Sequence, residues 1–329
     1  MNVLDYLMSF AQVVKALQVQ NKYKEKFLHP YLAKLENEHK GVFTPEQKFK
    51  IQKYYGVFIP AILCNSYKNL YGEKLNDKER ERATLFGILT PMGDDLFDVD
   101  KLPISKITAL TFQPDHYNAT FFSEKVTKQI QGFLLKNVPH KAAYISASKA
   151  VLDIQVETEK QLNQNISQAE IEHITYTKGA VSVIIYHQCL DIVADQQMLD
   201  ALLYIGSLYQ LGNDLFDVFK DTRDHIYTLP NTCTDFVTLR SKFIERVKAQ
   251  NKKIMALPYP LKRKNRFSII MNNVNARSLV AIDEWIALEK KSGGTIDFKN
   301  KTRKELIIDM EKLRLIIKWL YYTWQLPRL

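Results

Sequence analysis

The chain has 329 residues, 46% hydrophobic and 25% charged, which places it in the globular class with a core of ordinary size. No uninterrupted apolar run is long enough to span a bilayer, and three widely spaced cysteines (Cys64, Cys189, Cys233) form neither a disulfide framework nor a zinc pattern. The formal net charge is +10, but the basic residues are scattered, with no aromatic-interleaved basic helix and no zinc-finger or RNP-like segment, so nucleic acid is not an expected partner. Met1-Asn2-Val3-Leu4-Asp5 lacks the basic-then-apolar order of a signal peptide, and the expected location is cytoplasmic.

Eleven Gly and eleven Pro are few turn residues for this length, and period-2 alternation is scarce, so an all-α fold is expected. Helical periodicity covers residues 3–40, 45–72 and 77–95, with Pro91 closing the approach to the end of the third segment. Pro103 and Pro114 bound a short loop region, after which helices are expected over 119–136, 141–164, 168–192 and 197–225. Gly179 is a candidate helix break within the second-last of these. Leu229-Pro230-Asn231 precedes helices over 234–254 and 262–290, and Gly293-Gly294 separates them from a last helix over 302–324. Four capping boxes mark helix starts, at Thr44-Pro45-Glu46-Gln47, Asn76-Asp77-Lys78-Glu79, Ser167-Gln168-Ala169-Glu170 and Thr302-Arg303-Lys304-Glu305. Without a low-complexity linker or a shift in composition, a single domain over residues 1–329 is the economical assignment.

One short pattern occurs twice: Gly93-Asp94-Asp95-Leu96-Phe97-Asp98-Val99 and Gly212-Asn213-Asp214-Leu215-Phe216-Asp217-Val218, the second continuing through Lys220-Asp221. On a helix, residues four apart share a face, which groups Asp94 with Asp98 and Asn213 with Asp217 and Asp221, while Asp95 flanks the first set. An isolated acidic stripe is ordinarily a solvated helix face. Here each copy follows a glycine and an apolar stretch that should draw it toward a core, where packed carboxylates repel unless a cation lies between them. Oxygen-only donors suit a hard cation such as Mg²⁺, which shares its coordination with waters and substrate phosphates.

Other chemistry is not encoded in recognisable form. There is no phosphate loop, no Gly-x-Gly-x-x-Gly and no nucleophile elbow. His187 in Ile184-Ile185-Tyr186-His187-Gln188-Cys189 reads as a structural histidine. The tail Trp319-Leu320-Tyr321-Tyr322-Thr323-Trp324 reads as a docked C-terminal helix, with peripheral membrane contact and a homodimer left open as partner readings.

Asp94-Asp95-Leu96-Phe97-Asp98 resembles the Asp-Asp-x-x-Asp motif of the class I isoprenoid synthase superfamily. Asn213-Asp214-x-x-Asp217-x-x-Lys220-Asp221 is similar to the second metal motif of its terpene synthases, with Asp at the Ser/Thr position and Asp at the Glu position. The resemblance implies an α-helical barrel or bundle in which three Mg²⁺ ions, held by Asp94, Asp95, Asp98, Asn213, Asp217 and Asp221, bind an isoprenyl diphosphate. Basic residues beside the metals should hold the departing pyrophosphate, and Lys178, Lys220 and Arg223, with Tyr227, are the candidates. The activity implied is that of a terpene synthase or cyclase. Squalene and phytoene synthases are the alternative branch, because Asp94/Asp98 and Asp217/Asp221 both form Asp-x-x-x-Asp and Tyr227-Thr228-Leu229-Pro230 resembles their Tyr-Leu-Pro segment. That branch carries an Arg just ahead of its first aspartates, for which Arg82 is only a partial match. A helical adaptor with acidic interaction faces is the reading from another class.

Overall fold

The computed structural model describes residues 1–329, and every regular element in it is helical. In chain order the α-helices are α1 (Val3–Tyr23), α2 (His29–His39), α3 (Pro45–Phe49), α4 (Asn65–Tyr71), α5 (Asp77–Asp98), α6 (Ile104–Phe112), α7 (Phe122–Asn137), α8 (Lys141–Glu157), α9 (Gln168–Gln188), α10 (Gln196–Arg223), α11 (Phe236–Ala256), α12 (Leu261–Lys291), α13 (Arg303–Leu306) and α14 (Leu313–Gln325). No helix is long and apolar enough to cross a membrane. The chain divides into two compact units: an N-terminal unit of Phe10–Leu152 with Ile185–Ala194, and a C-terminal unit of Met1–Ser9, Asp153–Ile184 and Asp195–Leu329.

In the N-terminal unit, α5 packs against α7 and against a π-helical stretch, Lys50–Phe58. The wider π turn brings backbone close to backbone. A Cβ on Gly87 of α5 would sit 2.3 Å from the Tyr55 carbonyl oxygen, so only glycine fits there. The buried Gln20 side chain donates to the Gly56 carbonyl and to Thr84 Oγ1, both at 2.9 Å, which satisfies a carbonyl in the irregular turn. A buried ionic cluster anchors the 185–194 segment. Lys68 Nζ lies 2.8 Å from Glu79, Glu79 accepts the Asp191 N–H at 2.9 Å, and Arg82 reaches both Asp191 and the Cys189 carbonyl. Removing one member would leave a buried charge uncompensated. Arg82 is therefore committed to holding this segment.

The C-terminal unit is built on α10, α11 and α12, with α14 laid on α12. Leu208, Leu211, Leu215 and Val218 form one buried row of α10 and pack with Phe236, Phe243 and Trp285, whose indole N–H donates to the Leu215 carbonyl at 3.1 Å. On the opposite side α9 approaches α10 through Gly179 and Gly206, where a Cβ on either would lie 2.1–2.2 Å from the other's carbonyl oxygen.

Several boundaries differ from the periodicity reading. The region between Pro103 and Pro114 is a helix, α6, whose Ile107 and Leu110 bury with Leu96 and Leu152. Pro91 lies inside a helix rather than at its end, and α5 runs on through Asp98. Gly179 is likewise no break, since α9 passes through it and uses it for close approach. The last predicted helix is two helices, α13 and α14, separated by residues 307–312, whereas Gly293 and Gly294 (φ +80° and +102°) do turn the chain before them. The capping boxes at Thr44, Asn76 and Ser167 form reciprocally, and the Thr302 N–H donates to Glu305 at 3.0 Å.

The glycine contact yields a direct test. Gly206→Ala places a methyl group into the backbone of α9, and overpacking of this kind costs roughly 1–3 kcal/mol or more. Urea denaturation should show a lowered midpoint at unchanged slope; a wild-type midpoint would mean that the two helices do not touch there.

Candidate functional site

The second acidic pattern lies on α10, where Ser207, Gln210, Asp214, Asp217 and Asp221 recur at intervals of three and four and form a polar row beside the apolar one. Asp214 is 5% exposed and Asp221 7%, and Asp217 is half-buried. Asp214 accepts from Gln210 Nε2 at 2.8 Å and from Thr175 Oγ1 of α9 at 3.2 Å, and Lys178, one turn further along α9, adds positive charge. Burial, opposed by these donors and by Lys178, pushes the Asp214 carboxyl up to about 6. Burial together with the negative charge of Asp214 and Asp217 pushes Asp221 up to about 8. Asp214 and Asp221, on one helix face, thus resist simultaneous ionisation.

Asn213 is exposed, with its amide donating to Asp217 Oδ2 at 3.0 Å, so it braces an aspartate rather than entering the buried row. Asp214, which a spacing of four leaves out, takes the buried position because residues three and four apart are both neighbours on a helix. Lys220 and Arg223 are exposed at the end of α10, where Arg223 makes a two-point contact with Asp224 (2.7 and 3.1 Å) and Lys220 lies 3.7 Å from the same carboxylate. Tyr227 is positioned by its backbone: its N–H donates to the Gln161 carbonyl at 2.8 Å and its carbonyl accepts from Gln161 Nε2 at 3.1 Å. The turn between them passes through His225 at φ +55°. Asp221, Thr222, His225, Tyr227, Asp297 and Lys299 line a cavity of about 180 Å³ at this end of the helix.

The first pattern closes α5 in the N-terminal unit. Asp94 and Asp95 are half-buried and Asp98 is exposed. No basic residue occupies the last turn of α5, so its carboxylates meet the negative end of the helix dipole, an arrangement disfavoured by ~0.3–1 kcal/mol for each charge. Partners come from elsewhere. Gln47 Nε2 donates to Asp95 Oδ2 while its oxygen accepts the Thr44 N–H at 2.7 Å, so one side chain serves both a helix cap and the acidic pattern. Burial raises the Asp95 pKa, with the Gln47 bond and the Lys50 charge opposing it. For Lys50, burial would depress the ammonium, but Glu46, Asp94 and Asp95 outweigh it and the net shift is upward.

Gln47, Lys50, Gln210 and Thr175 are the contributors that motif reading misses. Gln47 carries a signal only as a helix cap, and Lys50 sits in a π-helical turn that periodicity does not reveal. His187 is fully buried, its Nε2 3.3 Å from the Tyr71 hydroxyl, and burial drives its pKa down to about 3, with Lys68 and His140 adding to the effect. It is a neutral packed residue of the N-terminal unit. No three His, Cys, Asp or Glu side chains converge as a ready metal group.

The raised carboxyl pKa values fix the sign of a pH effect. From about pH 4 up through about 6 and 8 the folded chain keeps protons on Asp214 and Asp221 that the unfolded chain has released, so metal-free stability falls as pH rises across that window. Asp221→Asn should therefore stabilise the chelator-treated protein by roughly 1–3 kcal/mol at pH 9 and change little near pH 4, read from denaturation midpoints. A variant no more stable than wild type at high pH would contradict the burial of this carboxyl group. Compared with known proteins, the chain matches no family model and no curated protein.

Proposed function

We propose that the chain is a Mg²⁺-dependent enzyme that ionises an isoprenyl diphosphate, of the terpene synthase or cyclase kind. The observation that carries the reading is the buried polar row of α10, where Asp214, Asp217 and Asp221 share one face at a cost in mutual repulsion and only oxygen donors are present. That donor chemistry fits a hard divalent cation. On α10, Asp214, Asp217 and Asp221 are the residues that would hold it, and Asp94, Asp95 and Asp98 are the corresponding candidates of the other pattern. Bound Mg²⁺ supplies Lewis-acid neutralisation of the charge that develops on a departing diphosphate.

The chain's own side chains have definable tasks in this reaction. Lys178 and the Thr175 hydroxyl are placed on α9 beside Asp214, so cationic and hydrogen-bonding groups already flank the acidic row. Asn213 holds Asp217 in one orientation, and Gln47 does the same for Asp95. Lys220 and Arg223, both engaged by Asp224, would have to exchange that contact for pyrophosphate oxygens. Near α10, the face of the Tyr176 ring is already engaged by the Arg246 guanidinium at 3.6 Å.

A head-to-head condensing enzyme of the squalene or phytoene synthase kind remains the second reading, favoured by the way Gln161 clamps both backbone groups of Tyr227 beside Asp221. Incubation with prenyl diphosphates of increasing length and Mg²⁺, followed by mass spectrometry, decides between the two. A hydrocarbon of the substrate's carbon number supports the cyclase, one of doubled carbon number supports condensation, and no turnover of any chain length would leave the adaptor reading.

Substitutions in each pattern sharpen the assignment. Asp94→Asn or Asp95→Asn should lower turnover by about two orders of magnitude or more with the helical fold intact, the scale expected when one preorganised stabiliser of developing charge is lost. Wild-type rates in both folded variants would remove the first pattern from the site. At Asp217, a cyclase should tolerate Ser better than Ala, because a hydroxyl still offers one oxygen on the same face. Initial rates at saturating Mg²⁺ that are equally abolished in Asp217→Ser and Asp217→Ala would move the assignment to the condensing branch.

A further inference from the structure

Away from the acidic patterns, the C-terminal unit exposes two apolar rows that nothing in the fold covers. On α14, Leu313, Ile317, Leu320 and Tyr321 are 55–72% exposed and fall at spacings that share one face, while Leu315 is buried and Trp319 and Tyr322 donate to Asn273 and Asp283 of α12. At the start of α1, Val3, Leu4 and Leu7 are 60–62% exposed and Met8 is also exposed. The two helices that carry these rows meet at a joint. Tyr6 and Trp324 are in ring contact at 4.5 Å, the Tyr6 hydroxyl donates to the Trp324 carbonyl at 2.9 Å, and the Arg328 guanidinium lies 3.6 Å over the Trp324 ring.

Beside this joint is a cavity of about 490 Å³ whose lining includes Lys248, Lys252 and Arg328 and no acidic side chain. All three cations are exposed. The wall is rigid, because Asn251, which also lines the cavity, donates to the Leu326 carbonyl at 2.7 Å and accepts from Ser268 and Asn272 in a buried polar network. Exposed apolar helix faces next to a cluster of cations are the two halves of an interfacial membrane contact: the first enters the headgroup region, the second meets anionic phosphate. The chain's net charge of +10 acts in the same direction. A symmetric contact with a second copy fits less well, since an isologous interface over this face would bring both sets of Lys248, Lys252 and Arg328 toward each other.

We propose that this face docks the protein on an anionic phospholipid bilayer, with α14 and the first turns of α1 lying in the interface and a lipid phosphate entering the cationic cavity. The contact is separate from the acidic patterns and does not depend on the proposed reaction.

The test is co-sedimentation with vesicles of phosphatidylcholine alone and of phosphatidylcholine mixed with phosphatidylglycerol. Binding is expected only to the mixed vesicles and should persist in excess inorganic phosphate at matched ionic strength. Lys248→Glu with Lys252→Glu should weaken it by more than about tenfold, as expected for two charges near an anionic surface. Ile317→Asp with Leu320→Asp should abolish it. These positions are exposed, so melting curves should stay at the wild-type value; Leu4→Ser with Leu7→Ser gives a milder apolar variant if the first pair does not fold. Equal binding to both vesicle types, binding indifferent to these substitutions, or complete competition by phosphate would each overturn the proposal. So would a concentration-dependent dimer, lost in the apolar variants, in a protein that ignores vesicles.

Discussion

Carboxyl groups held against one another inside a helix pair are the constraint on which the account of this protein rests. Asp214 and Asp221 are almost wholly buried on α10, with Asp217 between them, and burial with mutual repulsion keeps their pKa values far above those of exposed aspartates. An arrangement of this kind lowers stability near neutral pH, and groups of apolar shape in those positions would not. The fold supports it with specific partners: Gln210 and Thr175 donate to Asp214, Lys178 adds charge, and Asn213 braces Asp217. Perturbed carboxyl groups of this type, sustained by neighbouring packing, are the feature on which the proposed cation site rests.

The packing of α10 explains how such a row can be tolerated. One side of the helix carries Leu208, Leu211, Leu215 and Val218 into an aromatic core, pinned by the hydrogen bond from Trp285 to the Leu215 carbonyl. The Gly179–Gly206 contact then sets α9 at backbone distance from α10. Thr175 and Lys178 lie within a turn of Gly179, so the same close approach that excludes side-chain carbon at 206 brings donors to Asp214. Packing and electrostatics are here two consequences of one helix pairing. In the N-terminal unit the Gly87–Tyr55 approach plays the corresponding part, placing α5 on the π-helical segment that begins with Lys50, whose charge opposes that of Asp94 and Asp95.

The helical class and most helix starts were legible from the sequence because they depend on local signals: few turn residues, 3.6-residue periodicity and reciprocal caps. What depended on tertiary contact was not. Pro91 reads as punctuation near the end of a helix, yet α5 passes through it to Asp98. Gly179 reads as a break for the same local reason and serves a close approach instead. The acidic patterns were legible as patterns, but a spacing of four selected Asn213 and passed over Asp214, since only the position of α9 decides which side of α10 is buried. Gln47 and Lys50 lie 47 and 44 residues before Asp94 in the chain, and no local signal connects them to it.

The central claim, that the buried acidic row of α10 receives a divalent cation with diphosphate, makes a prediction about protons. Ligand oxygens must be deprotonated to bind a metal, so loading the site near pH 7 has to expel the proton that Asp221, with its pKa pushed up to about 8, retains. Calorimetric titration of Mg²⁺ with pyrophosphate in two buffers of different ionisation enthalpy measures that release. Wild-type protein should release close to one proton per site beyond the ligand's own contribution, and Asp221→Asn should release correspondingly fewer. Absence of binding, or binding with the same proton release in both proteins, would contradict the account.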